Sequence, residues 1–332
     1  MVKTTTPAQY ALILIDMAES QGCDRQALLA GTSLAGTGIS GIGARISDRD
    51  FSVLVGNALR LTGDPALGLN LGLRLNLSAH ALLGQAFMTC RDLSQVIELF
   101  LKYYHLLAPA LHLEYEELGD RCVLTIVSSP AETPLDFGFE LICGAMLNTL
   151  RGLLNRSDLQ LHLEVPYPAP AHAARYYEVF GGDVRFNCVS GRIAFRRDLL
   201  PTPLPSSNPA LRNLYENECA RLLSDLEEEE SVSEQTLRLM RKLEGQYPQM
   251  PQVAKMLNLS ARTYRRRLES EHRSYQELLD QVRAEHATRY LQNTRLPLSS
   301  IAYIIGFNDT SNFRRAYQKW TGRSPADVRH ER

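Results

Sequence analysis

The sequence predicts an α+β N-terminal domain, helix-rich with two β-hairpins, followed by an all-α C-terminal domain of two tandem helix-turn-helix units. Three observations carry this. The chain has 332 residues, enough for two domains of usual size. Its last hundred or so residues read as short helices without strand signals, and one helix-turn-helix pattern occurs there twice. Charge is also unevenly spread. The whole chain carries a net −1, yet Pro251 to Arg332 holds 15 basic and 8 acidic residues, leaving 21 basic and 29 acidic ones elsewhere. A cationic end on an anionic body suggests that one end binds a polyanion.

In the N-terminal part, Ala8 to Gln21 predicts a helix with Ala11, Leu12, Ile15 and Ala18 on one face. Ser47, followed by Asp48 and Asp50, caps a helix that runs through Leu61 and stops at Gly63. Leu93 to Leu107 predicts another, and Phe137 to Leu154 a largely buried one. Leu111 to Leu118 and Cys122 to Val127, broken at Gly119-Asp120, predict the first hairpin. Val184 to Cys188 and Ile193 to Phe195, broken at Ser190-Gly191, predict the second, with Leu159 to Val165 a separate strand. Pro201 to Pro209 bridges to a helix from about Ala210 to Leu226. The run Glu227 to Glu230 then marks a domain end, and residues 227–232 a solvated linker, dividing an effector and dimerisation domain (1–226) from a DNA-binding domain (233–332).

Ser231 with Glu234 opens the C-terminal helices, and Pro248 and Pro251 punctuate them. A helix-turn-helix needs a small residue where its helices cross, a turn residue able to reach positive φ, and a capped second helix with a polar outer face. The first unit, about 250–270, has Ala254 as the small residue, Asn258 at the turn, Ser260 as cap, and Tyr264 and Leu268 packing inward. Arg262, Thr263, Arg265 and Arg266 face outward. The second unit, about 298–321, has Ala302, Gly306, Asp309 as cap, and Phe307, Phe313 and Tyr317 inside. There Thr310, Ser311, Asn312, Arg314 and Arg315 face out. Between them Tyr275 to Leu291 forms a helix of roughly 25 Å, long enough to set two reading helices about one DNA turn, roughly 34 Å, apart. A single such unit would fit an interaction domain with solvated arginines equally well; the repetition favours DNA.

These residues also carry a resemblance. Ser260-x-Arg262-Thr263-x-x-Arg266-x-Leu268, Arg283 with Ala287, Ile301-Ala302-x-x-x-Gly306-Phe307, and Phe313-x-Arg315-Ala316-Tyr317-x-x-Trp320-x-Gly322-x-Ser324-Pro325 resemble the DNA-binding domain of the AraC/XylS family. The sequence departs from it at Glu271-His272-Arg273-Ser274, where the family usually has a glycine after its first recognition helix. The resemblance implies that Arg262, Arg265, Arg266, Thr310, Ser311, Asn312, Arg314 and Arg315 fall at base-contacting positions. Arginine suits guanine O6 and N7; Arg266 fits a base contact or a phosphate clamp. The segments around Ala81 to Ala86, Tyr103-Tyr104, Tyr176-Tyr177 and Phe180 to Phe186 resemble the effector domains of ornithine-utilisation-type members. That resemblance implies small-molecule binding and dimerisation. The sequence itself outlines no pocket; Tyr103, Tyr104, His105 and His112 are candidates to line one, with core packing the favoured alternative for aromatics beside apolar runs.

No Gly-x-Ser-x-Gly, phosphate loop or His-Glu-x-x-His occurs, and the six cysteines lack zinc spacing, so neither enzyme chemistry, a cofactor nor a metal is expected. Ala11 to Ile15 is too short to anchor or export the chain. The expected partners are double-stranded promoter DNA, a second copy, an effector and RNA polymerase, in the cytoplasm and without a membrane. A ligand-independent regulator, set by abundance or a protein partner, is the alternative.

Overall fold

The computed structural model describes residues 5–35, 44–109, 111–128, 134–229, 231–243, 245, 247–294 and 296–330. The chain divides into two units, Lys3–Leu226 and Glu227–Arg332. The first begins with β1 (Thr5–Pro7), α1 (Ala8–Ser20), α2 (Arg25–Leu29), β2 (Arg45–Ser47), α3 (Asp48–Thr62) and α4 (Leu67–Arg74). β1 and β2 pair antiparallel. Ser47 caps α3 by accepting from the Asp50 N–H, Asp48 and Asp50 favour its positive end, and Gly63 closes it at φ +64. The buried faces of α1, α3 and α4 share one core around Leu14, Ile15, Leu54 and Leu71.

Then follow α5 (Ala81–Met88), α6 (Leu93–Tyr103), β3 (His112–Leu118), β4 (Arg121–Ser128), α7 (Leu135–Leu154), β5 (His162–Glu164), α8 (Ala173–Phe180), β6 (Val184–Arg185), β7 (Gly191–Arg196) and α9 (Pro209–Glu229). The helix over 93–107 is shorter than the sequence predicts, because residues 104–106 tighten into a 3-10 turn. α7 is long and apolar enough to cross a membrane by length and composition. Its Phe139, Cys143, Leu147 and Leu150 instead fill the main core of this unit. α4 crosses α7 at very close range: a Cβ on Gly72 would stand 2.5 Å from the Leu141 carbonyl oxygen. Only glycine leaves room for that approach.

The fold class is the expected one, a helix-rich α+β unit followed by an all-helical one. The hairpin of β3 and β4 forms as expected. The second hairpin does not. The sheet order is β3-β4-β7-β5-β6, with β7 antiparallel to both β4 and β5 and β6 parallel to β5. Alternation along Ile193 to Phe195 marks a half-buried strand, but long-range packing chooses its neighbours. The acidic run also differs from a free linker, since α9 continues through Glu229; Glu230 lies outside the described residues.

The second unit contains α10 (Val232–Lys242), α11 (Met250–Met256), α12 (Ala261–Ser270), α13 (Tyr275–Asn293), α14 (Leu298–Ile304), α15 (Thr310–Thr321) and α16 (Pro325–His330). Pro251 sits in the first turn of α11, where its missing N–H does no harm. α13 serves two cores. Leu278, Leu279 and Val282 pack with α10, α11 and α12, while Ala287 and Leu291 pack with α14, α15 and α16.

Candidate nucleic-acid interface

The first helix-turn-helix is α11 and α12. Ala254 is fully buried and its carbonyl accepts from the Leu259 N–H at 2.8 Å. That bond closes the turn, and it requires the positive φ of +55° that Asn258 adopts. Ser260 caps α12 by accepting from the Thr263 N–H at 3.1 Å. Tyr264 and Leu268 are buried, and the Tyr264 hydroxyl hydrogen-bonds Thr236 at 2.8 Å. Arg262, Arg265 and Arg266 are exposed. Thr263 departs from the outward placement: it is half-buried, and its hydroxyl lies 2.8 Å from Ser260 Oγ as part of the cap. Arg267, which the pattern did not single out, is exposed beside these arginines.

The second unit, α14 and α15, repeats the construction. The Ala302 carbonyl accepts from the Phe307 N–H at 2.8 Å, and Gly306 turns the chain at φ +85°. Asp309 caps α15, accepting from the N–H groups of Ser311 at 3.0 Å and Asn312 at 3.1 Å. Those bonds hold its carboxyl below the usual carboxylate range. Phe313 and Tyr317 are buried and Phe307 packs against them. Ser311, Asn312, Arg314 and Arg315 are exposed, Thr310 is half-buried, and the Arg315 guanidinium donates to Asn312 Oδ1 at 2.7 Å. Counted from the caps, Arg265 and Arg266 stand where Arg314 and Arg315 stand.

Two contacts tie the end of α12 to α10. Glu271 reaches across to α10, accepting from the Val232 and Ser233 N–H groups at 2.9 Å each. A carboxylate there satisfies orphan donors and favours the positive helix end. His272 takes φ +55°, the left-handed region that favours glycine.

The candidate pocket residues separate. In the first unit a cavity of about 190 Å³ opens between α1, α3, α6, α7 and the sheet. Tyr104 lines it; Tyr103, His105 and His112 do not. Tyr103 points into the core, and the His105 ring stacks on Tyr104 at 4.1 Å between centres. The change from α6 to the 3-10 turn at Tyr104 sends adjacent tyrosines to different surroundings. Sequence reading also misses Tyr10, His80 and Thr149 in the cavity wall. His80 hydrogen-bonds Tyr10 at 2.7 Å and Thr149 at 2.9 Å, and burial pushes its imidazole down to about 4, so it is neutral at pH 7.

Two capped helices with exposed arginines, each placed by its own helix-turn-helix, define a DNA-binding regulator of the helix-turn-helix type. The profile described as the arabinose-binding domain of AraC transcription regulator, N-terminal, matches residues 22–204, and a helix-turn-helix domain profile matches 253–331. The chain is 37% identical to the ornithine utilization regulator of Pseudomonas aeruginosa, over 97% of this chain and 96% of that one. It is 25% identical to the uncharacterized HTH-type transcriptional regulator Rv1395 of Mycobacterium tuberculosis, over 97% and 95% respectively. Among solved structures, the transcriptional regulator CdpR from Pseudomonas aeruginosa is similar at 25% identity and a TM-score of 0.39, covering 79% of this chain and 86% of that one. The chain belongs to the AraC family of transcription regulators.

Proposed function

We propose that one subunit reads two successive major-groove segments of double-stranded DNA, through α12 and α15, and that a small molecule in the N-terminal unit controls it. The matched arginine pairs Arg265-Arg266 and Arg314-Arg315 on two helices bound to one linker helix support the first part. At 19 residues α13 spans roughly 28 Å, close to one DNA turn. Arg262, Arg265, Arg266, Arg314 and Arg315 with Ser311 and Asn312 supply base and phosphate contacts; Arg267 adds a phosphate contact on the flank. Thr263 and Thr310 act mainly through helix starts.

The cavity supports control by an effector over control by abundance alone. We read it as a binding site, not a catalytic one, and the chain as a non-enzyme acting in the cytoplasm on promoter DNA and RNA polymerase. Dimerisation is assigned to the N-terminal unit, where Leu211, Leu214 and Leu222 are exposed on α9. Binding-site selection from random duplexes, followed by genome-wide mapping of bound sites, tests this. The expected result is a motif with two conserved segments about 10 base pairs apart. Binding without any enriched motif would overturn it.

A further inference from the structure

The effector reading leaves open what the cavity accepts, and its wall is informative. It is lined almost wholly by apolar side chains, most of them from α6, α7 and the sheet, Phe100, Leu113, Ile142 and Ile193 among them. Among the described residues no lysine or arginine lines it. Its polar groups fall into two sets, with the Tyr104 hydroxyl apart from both and accepting from the Leu113 N–H at 3.4 Å. Thr6 and Asp48 are bonded to each other, the Thr6 hydroxyl donating to Asp48 Oδ1 at 2.8 Å. Tyr10, His80 and Thr149 form the second, a chain that ties α1 to α7.

That chain has a defined hydrogen-bonding capacity. A neutral imidazole offers one donor and one acceptor, and each hydroxyl can donate or accept. If His80 donates from Nε2 to Thr149, its Nδ1 accepts from Tyr10, leaving a Tyr10 lone pair for a guest. In the other tautomer His80 donates to Tyr10, whose own proton is then available. The chain can thus offer an acceptor or a donor to one neutral polar group, but no compensating charge. A buried carboxylate without a partner costs several kcal/mol, and a sugar would leave most of its hydroxyls facing apolar wall.

Resting on the effector reading above, we propose that the cavity binds a compact, mainly apolar molecule with a single neutral hydrogen-bonding end, seated at Tyr10, His80 and Thr149. Free amino acids and sugars are excluded by the same wall: its one carboxylate, Asp48, already accepts from Thr6 and has its charge opposed by Arg45, and no lining cation meets a guest carboxylate. An apolar cavity of roughly 150 Å³ holds one benzene, so in the same proportion this one, at about 190 Å³, fits a guest of about eight non-hydrogen atoms.

The test uses the full chain and four probes of closely matched size, slightly above that figure: 1-octanol, octanoate, L-ornithine and L-arabinose. Binding is measured by calorimetric titration at pH 7.5, with thermal melting followed by circular dichroism. The expected result is saturable binding of 1-octanol, a melting rise of roughly 2–4 °C, weaker binding of octanoate, and none of L-ornithine or L-arabinose. Ala108→Phe, which places a ring in the cavity wall, should abolish 1-octanol binding, and Tyr10→Phe, which removes the hydroxyl that meets the guest, should weaken it about fivefold, the worth of one hydrogen bond. Melting of the unliganded variants separates a filled cavity from a damaged fold. Absence of 1-octanol binding to the wild type, tighter binding of octanoate, or saturable binding of L-ornithine or L-arabinose would overturn the proposal. Affinity for a selected DNA site is measured in parallel. If 1-octanol binds without changing it, the cavity assignment stands and effector control fails; if L-ornithine binds and changes it, the reverse holds.

Discussion

The Arg283 guanidinium lies 4.9 Å from the centre of the Tyr247 ring, which places a cation at the seam between the two helix-turn-helix cores. Tyr247 packs against both cores, and its hydroxyl hydrogen-bonds His286 at 2.9 Å. The same guanidinium stands 5.4 Å from the Phe307 ring centre, so one side chain of α13 touches the turn of the second unit. Arg283→Met keeps most of the unbranched stem and removes the charge. It should lower the stability of the C-terminal unit by about 1 kcal/mol, the scale of a partly buried cation–π pair. Urea unfolding followed by Trp320 fluorescence reports it, because the chain's single tryptophan packs beside Phe307. An unchanged midpoint would show that the seam does not depend on this cation.

His272 is exposed and holds a left-handed conformation without the freedom of glycine. His272→Gly should raise stability by about 0.5–1 kcal/mol in the same unfolding measurement, since no packing is lost and backbone strain is relieved. A loss of stability would mean that the histidine side chain contributes interactions worth more than the strain.

The C-terminal unit was legible because each helix-turn-helix obeys local rules. A small residue, a positive-φ turn and a cap lie within about ten residues, and Ala254, Asn258 and Ser260 could be assigned by position alone. Thr263 was misplaced because a threonine three residues past a serine cap can face solvent or join the cap. The N-terminal unit was legible only as elements. Strand periodicity identified β7 but not that β4 and β5 flank it. The cavity draws on residues from Thr6 to Ile193, so no short motif announces it. Tyr103 and Tyr104 are alike in sequence, and only the 3-10 turn separates the core residue from the cavity residue.

His80 gives the N-terminal unit a pH dependence of known sign. Its folded imidazole titrates near 4, whereas the unfolded one takes a proton near 6.5. The stabilisation is complete above pH 6.5 and is lost as pH falls toward 4, by on the order of 3 kcal/mol. Wild type and His80→Gln, unfolded in urea at pH 7 and pH 4.5 and followed by far-ultraviolet circular dichroism, should differ less at the lower pH. Parallel losses in both proteins would place the pH sensitivity elsewhere.

Binding to a selected duplex should weaken steeply with salt, because several exposed arginines release counterions from the phosphates. The slope of log K against log salt is expected to be about −0.9 for each phosphate neutralised. Arg267→Ala should make it shallower by about one such increment and leave the sequence preference unchanged. A slope near zero in the wild type would be incompatible with phosphate-driven binding.

The most direct test of the two-segment reading is guanine methylation interference on the selected site, with Arg265→Ala and Arg315→Ala beside the wild type. Each variant should keep its fold and lose roughly 1–3 kcal/mol of affinity. The wild type should show two major-groove segments about 10 base pairs apart in which guanine methylation blocks binding. Arg265→Ala should erase the interference pattern of one segment and Arg315→Ala that of the other. Loss of the same segment in both variants, or of neither, would contradict a subunit that reads DNA through both α12 and α15.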